Sequence, residues 1–154
     1  MASIGPSRFG KSFAAAATVQ AYHIVSFDTA TASDGHVRVI HYWSETAHIL
    51  GVAQDYADTT SGQFQAVPVA SFGYAKVAAG ASVSAGAILT PVTATGYAIE
   101  ATALGNTGAP ITTTFSTAGS IRVKEIGIAL EKGSLTDAVM ECYVNISNLK
   151  LRIA

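Results

Sequence analysis

Residues 63–92, QFQAVPVASFGYAKVAAGASVSAGAILTPV, break into short apolar runs separated by small turn residues. That pattern suits an antiparallel β-meander and leaves no run long enough for an ordinary helix. Turn punctuation falls at Ser61-Gly62, Ser71–Gly73, Ala79-Gly80 and Ala85-Gly86, which predicts strands at Phe64–Val69, Tyr74–Val77 and Ala87–Val92. Nothing in the stretch looks catalytic.

The flanking segments continue the theme. Tyr22–Phe27 alternates and reads as a strand ending at Asp28, and His36–Trp43 places Val37, Val39, His41 and Trp43 on one face. His48–Tyr56 is an apolar run closed by Asp55, Asp58 and a polar turn. Beyond the meander, Gly96–Ala103 and the Thr-rich Ile111–Thr117 read as strands, threonine being β-branched and suited to a pleated surface. Ser120–Lys132 and Ala138–Leu149 make a last long hairpin joined by Gly133–Asp137, with Arg122 and Lys124 on a solvated face. Leu50-Gly51-Val52-Ala53 before an acid echoes Ile126-Gly127-Ile128-Ala129 before Glu131, so two matched hairpins are expected.

The predicted fold is all-β, a compact antiparallel β-sandwich or β-barrel-like domain over 21–154, preceded by an extended N-terminal arm over 1–20. The arm, MASIGPSRFGKSFAAAATVQ, carries Arg8 and Lys11, no acid and little large apolar surface, too little to offset its own ordering entropy. It is expected either to be a floppy tail, disordered in isolation, or to be a strap ordered by a neighbouring subunit, with Ile4, Phe9 and Phe13 as anchors and Arg8 and Lys11 meeting acidic patches. Ser12–Gln20 has a short Ala-rich helix as its alternative.

Charged residues make up 12% of the chain and the net charge is −1, so the surface is built from Ser, Thr, Gln, Asn, Ala and Gly. An exterior this poor in charge resists self-association weakly and points to contact with copies of itself or a partner. The near-neutral balance argues against a nucleic-acid partner, which would call for a basic face, and against an anionic membrane. The uncharged spans on either side of Glu100 are full of Gly, Thr, Ser and Pro and do not read as membrane helices. Cys142 is the single cysteine, so no intrachain disulfide forms, and its alternating surroundings place it inside.

No motif states a chemical activity. His23, His36, His41 and His48 lack the spacing of a metal motif, and the Asp55–Thr60 turn lacks the ligand pattern of a calcium loop. There is no GxSxG elbow, and Gly80 and Gly86 form neither a phosphate loop nor a dinucleotide fingerprint. The expectation is a protein that is not an enzyme and uses no cofactor and no metal.

Leu50–Asp55, Phe64–Val92 and Ile126–Val144 resemble the capsid decoration, or cement, proteins of tailed bacteriophages. The likeness lies in a GVA segment before an acid, an apolar strand, the small-residue run from Ala75 to Leu89, and the closing GIALE strand. Thr93–Ser120 has the look of an insertion relative to that pattern. The resemblance implies a virion protein on the outer capsid surface that bridges major capsid protein subunits and stabilises the mature shell, as a homo-oligomer, a trimer before a dimer. A different class, a carbohydrate- or receptor-binding β-module, would use Tyr42, Trp43 and Tyr56 to stack on sugar faces.

Overall fold

The computed structural model describes residues 9–28, 37–42, 44, 47–59, 65–101 and 119–153. Their strands are β1 (Phe9–Ala15), β2 (Ile24–Phe27), β3 (Arg38–His41), β4 (Ile49–Ala53), β5 (Ala66–Ala78), β6 (Ile88–Pro91), β7 (Ala98–Glu100), β8 (Gly119–Ala129) and β9 (Val139–Ile153). The architecture is all-β, a closed five-stranded barrel with further strands attached.

The order along the hydrogen-bonded sheet is β1-β3-β2-β4-β5-β9-β8-β6-β7, and β1 also pairs with β5. That second pairing closes the first five strands into a ring. β1 runs antiparallel to β5 from Phe9–Phe72 to Ala14–Ala66 and parallel to β3 at Ala14–Arg38 and Ala15–Val39. Closure leaves none of these strands with an open edge. Ala15, Val19, Val25, Val39, Ala53, Ala57, Val67 and Val69 fill the ring and are all buried. Burying a side chain of Val size contributes roughly 1.5–3 kcal/mol, so small residues suffice for a narrow barrel.

Four strands farther on, the same design recurs. Residues 10–27 map onto 74–91 without a gap, so that Ala14, Ala15, Ala17, Val19, Ala21 and Ile24 meet identical residues at 78, 79, 81, 83, 85 and 88. The hydrogen bonds repeat with the sequence. Tyr22 N–H donates to Ala53 O at 2.7 Å as Gly86 N–H donates to Ala129 O at 2.8 Å, and Ala53 N–H donates to His23 O as Ala129 N–H does to Ala87 O. Val19 bridges Ala57 where Val83 bridges Gly133. Tyr22 and Gly86 both take a positive φ, 66° and 84°. Even the closure matches: Ala16 N–H donates to Val39 O, and Gly80 N–H to Ala98 O, both at 2.8 Å. The chain is therefore a tandem repeat in which β1, β2, β3, β4 and the first half of β5 correspond to the second half of β5, β6, β7, β8 and β9.

β5 belongs to both units. Its residues 66–72 face β1, and its residues 72–78 pair antiparallel with β9, from Phe72–Asn145 to Ala78–Val139. Gly73, with φ of 89°, stands at the change of partner. The Ser71–Gly73 turn expected from the sequence is thus a kink inside one thirteen-residue strand, because both halves find partners and the backbone never needs to reverse.

Three further expectations are corrected. The leading segment from Phe9 onward is part of the chain's own sheet, since it is the first copy of the 74–91 pattern and β5 supplies its hydrogen bonds. Ser12–Ala15 is strand, which removes the helical alternative there. Lys124 is 9% exposed with its ammonium 5.3 Å from the centre of the Tyr42 ring, so the aromatic face takes the place of solvent. Ile111–Thr117 lies outside the described residues.

Candidate interaction surface

The expected arm contacts sit in different places. Ile4 and Arg8 lie outside the described residues. Phe9 opens β1, its backbone opposite Phe72. Lys11 is exposed, its Nζ 5.8 Å from the centre of the Phe13 ring. Phe13 is half-buried, packs on the first barrel's core and meets Phe27 edge to face at 5.9 Å. Lys11 and Phe13 thus lie close to each other on the barrel wall, and Phe13 contributes to the chain's own packing. Beside Lys11, a recess of about 390 Å³ is lined by Ser12, Gln54, Asp55, Pro68, Val69 and Ala70. The lining is mixed, with the Lys11 ammonium, the Asp55 carboxylate and the polar Ser12 and Gln54 beside apolar Pro68, Val69 and Ala70.

The histidines divide. The His23 ring contacts those of His41, centroids 5.1 Å apart, and of Tyr97 in the second unit, 4.6 Å apart, both pairs tilted, at 34° and 47°. His41 Nε2 accepts the Gln20 N–H at 2.9 Å, and burial, then the charge of His23, holds its pKa below the usual histidine value. Tyr97 donates its hydroxyl to Asp137, which raises the phenol's pKa, with desolvation second. His36 lies outside the described residues and His48 is exposed. Among the described residues no three His, Cys, Asp or Glu side chains gather as a metal site would require.

What stands out on the surface is apolar. Ile88, Ile128, Tyr143 and Tyr74 are in direct cross-strand register, so they form one row over β6, β8, β9 and β5. Ile88 and Ile128 are each 46% exposed and Tyr74 is 49% exposed. Tyr143 meets Tyr74 edge to face at 5.3 Å and Phe72 at 5.6 Å. Leu130 and Val139 are exposed at the end of the same sheet. Sequence reasoning passed over this row: Ile126 and Ile128, two residues apart, read as one face of β8, yet the register shifts between Glu125 and Gly127, and Ile126 is buried while Ile128 is exposed. Tyr42, expected as an exposed sugar platform, is instead buried, and Trp43 lies outside the described residues; Tyr56 is exposed.

No protein-family model and no curated protein matches the chain. Among solved structures, it is similar to the head fiber gp8.5 N base of bacteriophage phi29, with a TM-score of 0.58 and 20% identity over 94% of this chain and 99% of that one. At that identity the likeness is one of fold, and it spans both repeated units.

Proposed function

We propose that this chain is a structural protein of a bacteriophage virion that binds the outer surface of the capsid and stabilises the mature shell by bridging major capsid protein subunits, acting as a homo-oligomer and not as an enzyme. The observation that carries the reading is the fold shared end to end with a phage head-fiber base. The surface chemistry agrees with it: few charges, a rigid β-core, and an exposed apolar row on which a partner gains contact area. Shell bridging needs broad complementary area and no reacting group.

The test is co-sedimentation of the purified chain with expanded, empty shells assembled from the major capsid protein encoded in the same genome. Saturable binding, with shells that withstand heat better when coated, is expected. Failure to bind expanded shells would reject the reading. The carbohydrate- or receptor-binding alternative keeps Tyr56 and the Tyr74–Tyr143 pair as its aromatic surface, and it predicts a melting shift with saccharides and no dependence on shells.

A further inference from the structure

The tandem repeat allows each exposed residue of the second unit to be compared with its counterpart in the first. For most core positions the two agree: Ala15 and Ala79, Val19 and Val83, Val25 and Leu89, and Ala53 and Ala129 are all buried. Along one row they disagree. Ile24, Val52 and Ala70 are 0–2% exposed, whereas their counterparts Ile88 and Ile128 are 46% exposed and Tyr143 is partly exposed.

The cause of the difference is the second unit itself. Ile24, Val52 and Ala70 belong to the same buried cluster as Leu89, Ile126 and Val144. The turn after β6 lies on β2, where Ile24 N–H donates to Gly96 O at 2.6 Å and Ala94 N–H donates to Tyr42 O at 2.8 Å. A side chain on Gly96 would come within 3.3 Å of His23 Cβ, so the approach is close. Alongside, Ala78 N–H donates to Tyr22 O, and Gln54 Nε2 to Lys76 O at 3.1 Å. One unit thus covers this row on the unit before it.

We infer that the exposed row Ile88–Ile128–Tyr143 is covered by the first unit of a second copy of this chain, in a head-to-tail contact that continues the intramolecular junction from one molecule to the next. This deepens the homo-oligomer proposed above by assigning it a surface. The occupant follows from the repeat: within the chain the second half of β5 lies along the first unit's version of this row, through the Ala78–Tyr22 and Lys76–Gln54 bonds, and every copy carries the counterpart of that strand in its β1. Gln54, which bonds the covering strand within the chain, has Leu130 as its counterpart, 44% exposed and apolar. The intermolecular version is therefore the more apolar of the two. Because the two surfaces in contact differ, the association is heterologous and does not stop at two molecules.

The experiment uses the full chain alone, without shells, so its outcome is separable from shell binding. Mass is measured by light scattering and sedimentation velocity across roughly 1–200 μM, for the native sequence, Ile128→Glu and Ile88→Glu. Both substitutions are on half-exposed side chains of different strands, and circular dichroism confirms that the variants compared are folded. Native protein assembling beyond a dimer, with self-association weakened at least about thirtyfold in a folded variant, is the expected result for a charge placed in an interface centre. Native protein that stays monomeric over this range, that stops at a dimer, or whose assembly is unaltered by the glutamates overturns the inference.

Discussion

Gly127 lies directly against the backbone carbonyl of Tyr143, where a Cβ on residue 127 would overlap the carbonyl oxygen and approach Val144 Cα to 3.0 Å. Its φ of 152° is also one that side-chain-bearing residues rarely adopt. The counterpart Gly51 faces Ala70 in the same manner, a Cβ there falling 2.5 Å from Val69 Cγ1. Gly127→Ala and Gly51→Ala are each expected to cost about 4 kcal/mol or more, since the obstacle is backbone that cannot step aside. Gly86→Ala meets nothing nearby and carries only the strain of its positive φ, about 1 kcal/mol. Chemical denaturation of the three variants checks the ranking.

Stability is expected to fall as pH drops below about 6.5, and His41 is a named contributor. Its folded pKa is lowered by burial and by His23, so the unfolded chain takes up the proton first. The folded state is unpenalised above the unfolded value and loses stability below it. Protonation also removes the lone pair that accepts the Gln20 N–H. His41→Gln keeps an acceptor and cannot titrate; its melting temperature should therefore decline less between pH 7 and pH 5 than that of the native protein.

Cys142 should be silent toward thiol reagents while the protein is folded. Burial, with Glu141 beside it, pushes its pKa up to about 12. At pH 8 that leaves about a thousandfold less thiolate than a free cysteine has, before steric exclusion is counted. Labelling kinetics with a disulfide reagent, native against denatured, read this out. Native labelling as fast as denatured labelling would contradict the buried placement.

Thr90 and Ser26 occupy equivalent buried positions in the two units but differ in what they bond. The Thr90 hydroxyl donates to Lys124 O at 2.9 Å, whereas the Ser26 hydroxyl has no partner among the described residues. Thr90→Val should cost about 1 kcal/mol by leaving that bond unmade, and Ser26→Ala should be neutral or stabilising. Equilibrium unfolding of both variants decides it.

Deleting residues 1–15 removes the strand that closes the first barrel and exposes the unpaired side of β5, so the first unit should lose its cooperative transition. A shortened chain with unchanged melting would show that β1 is dispensable.

Much of the strand pattern was legible because alternation and glycine-rich turns dictate it locally. Ile24–Phe27, Ile49–Ala53 and the β8–β9 hairpin fall where the periodicity places them, and the echo between Leu50–Ala53 and Ile126–Ala129 marks true counterparts. The other half of the repeat, 13–25 against 77–89, hid behind its composition: FAAAATVQAYHIV looks like a loose tail because alanine buries little area by itself. Only its pairing with β5 reveals it as a wall. The kink at Gly73 could not be told from a turn, since both need glycine at positive φ and only the partners of the flanking residues separate them. The apolar surface row was equally invisible, because whether Ile128 faces core or water depends on where the neighbouring unit ends.

The double duty of β5 has a mechanical corollary. The two units are joined by one unbroken strand: cut the polypeptide at Gly73, and each piece keeps its own half of β5, but the leading piece loses the lid over Ile24 and Val52 and the two halves no longer share a backbone. Heat or force should accordingly unmake both halves in a single event, with no half-open form of the molecule between.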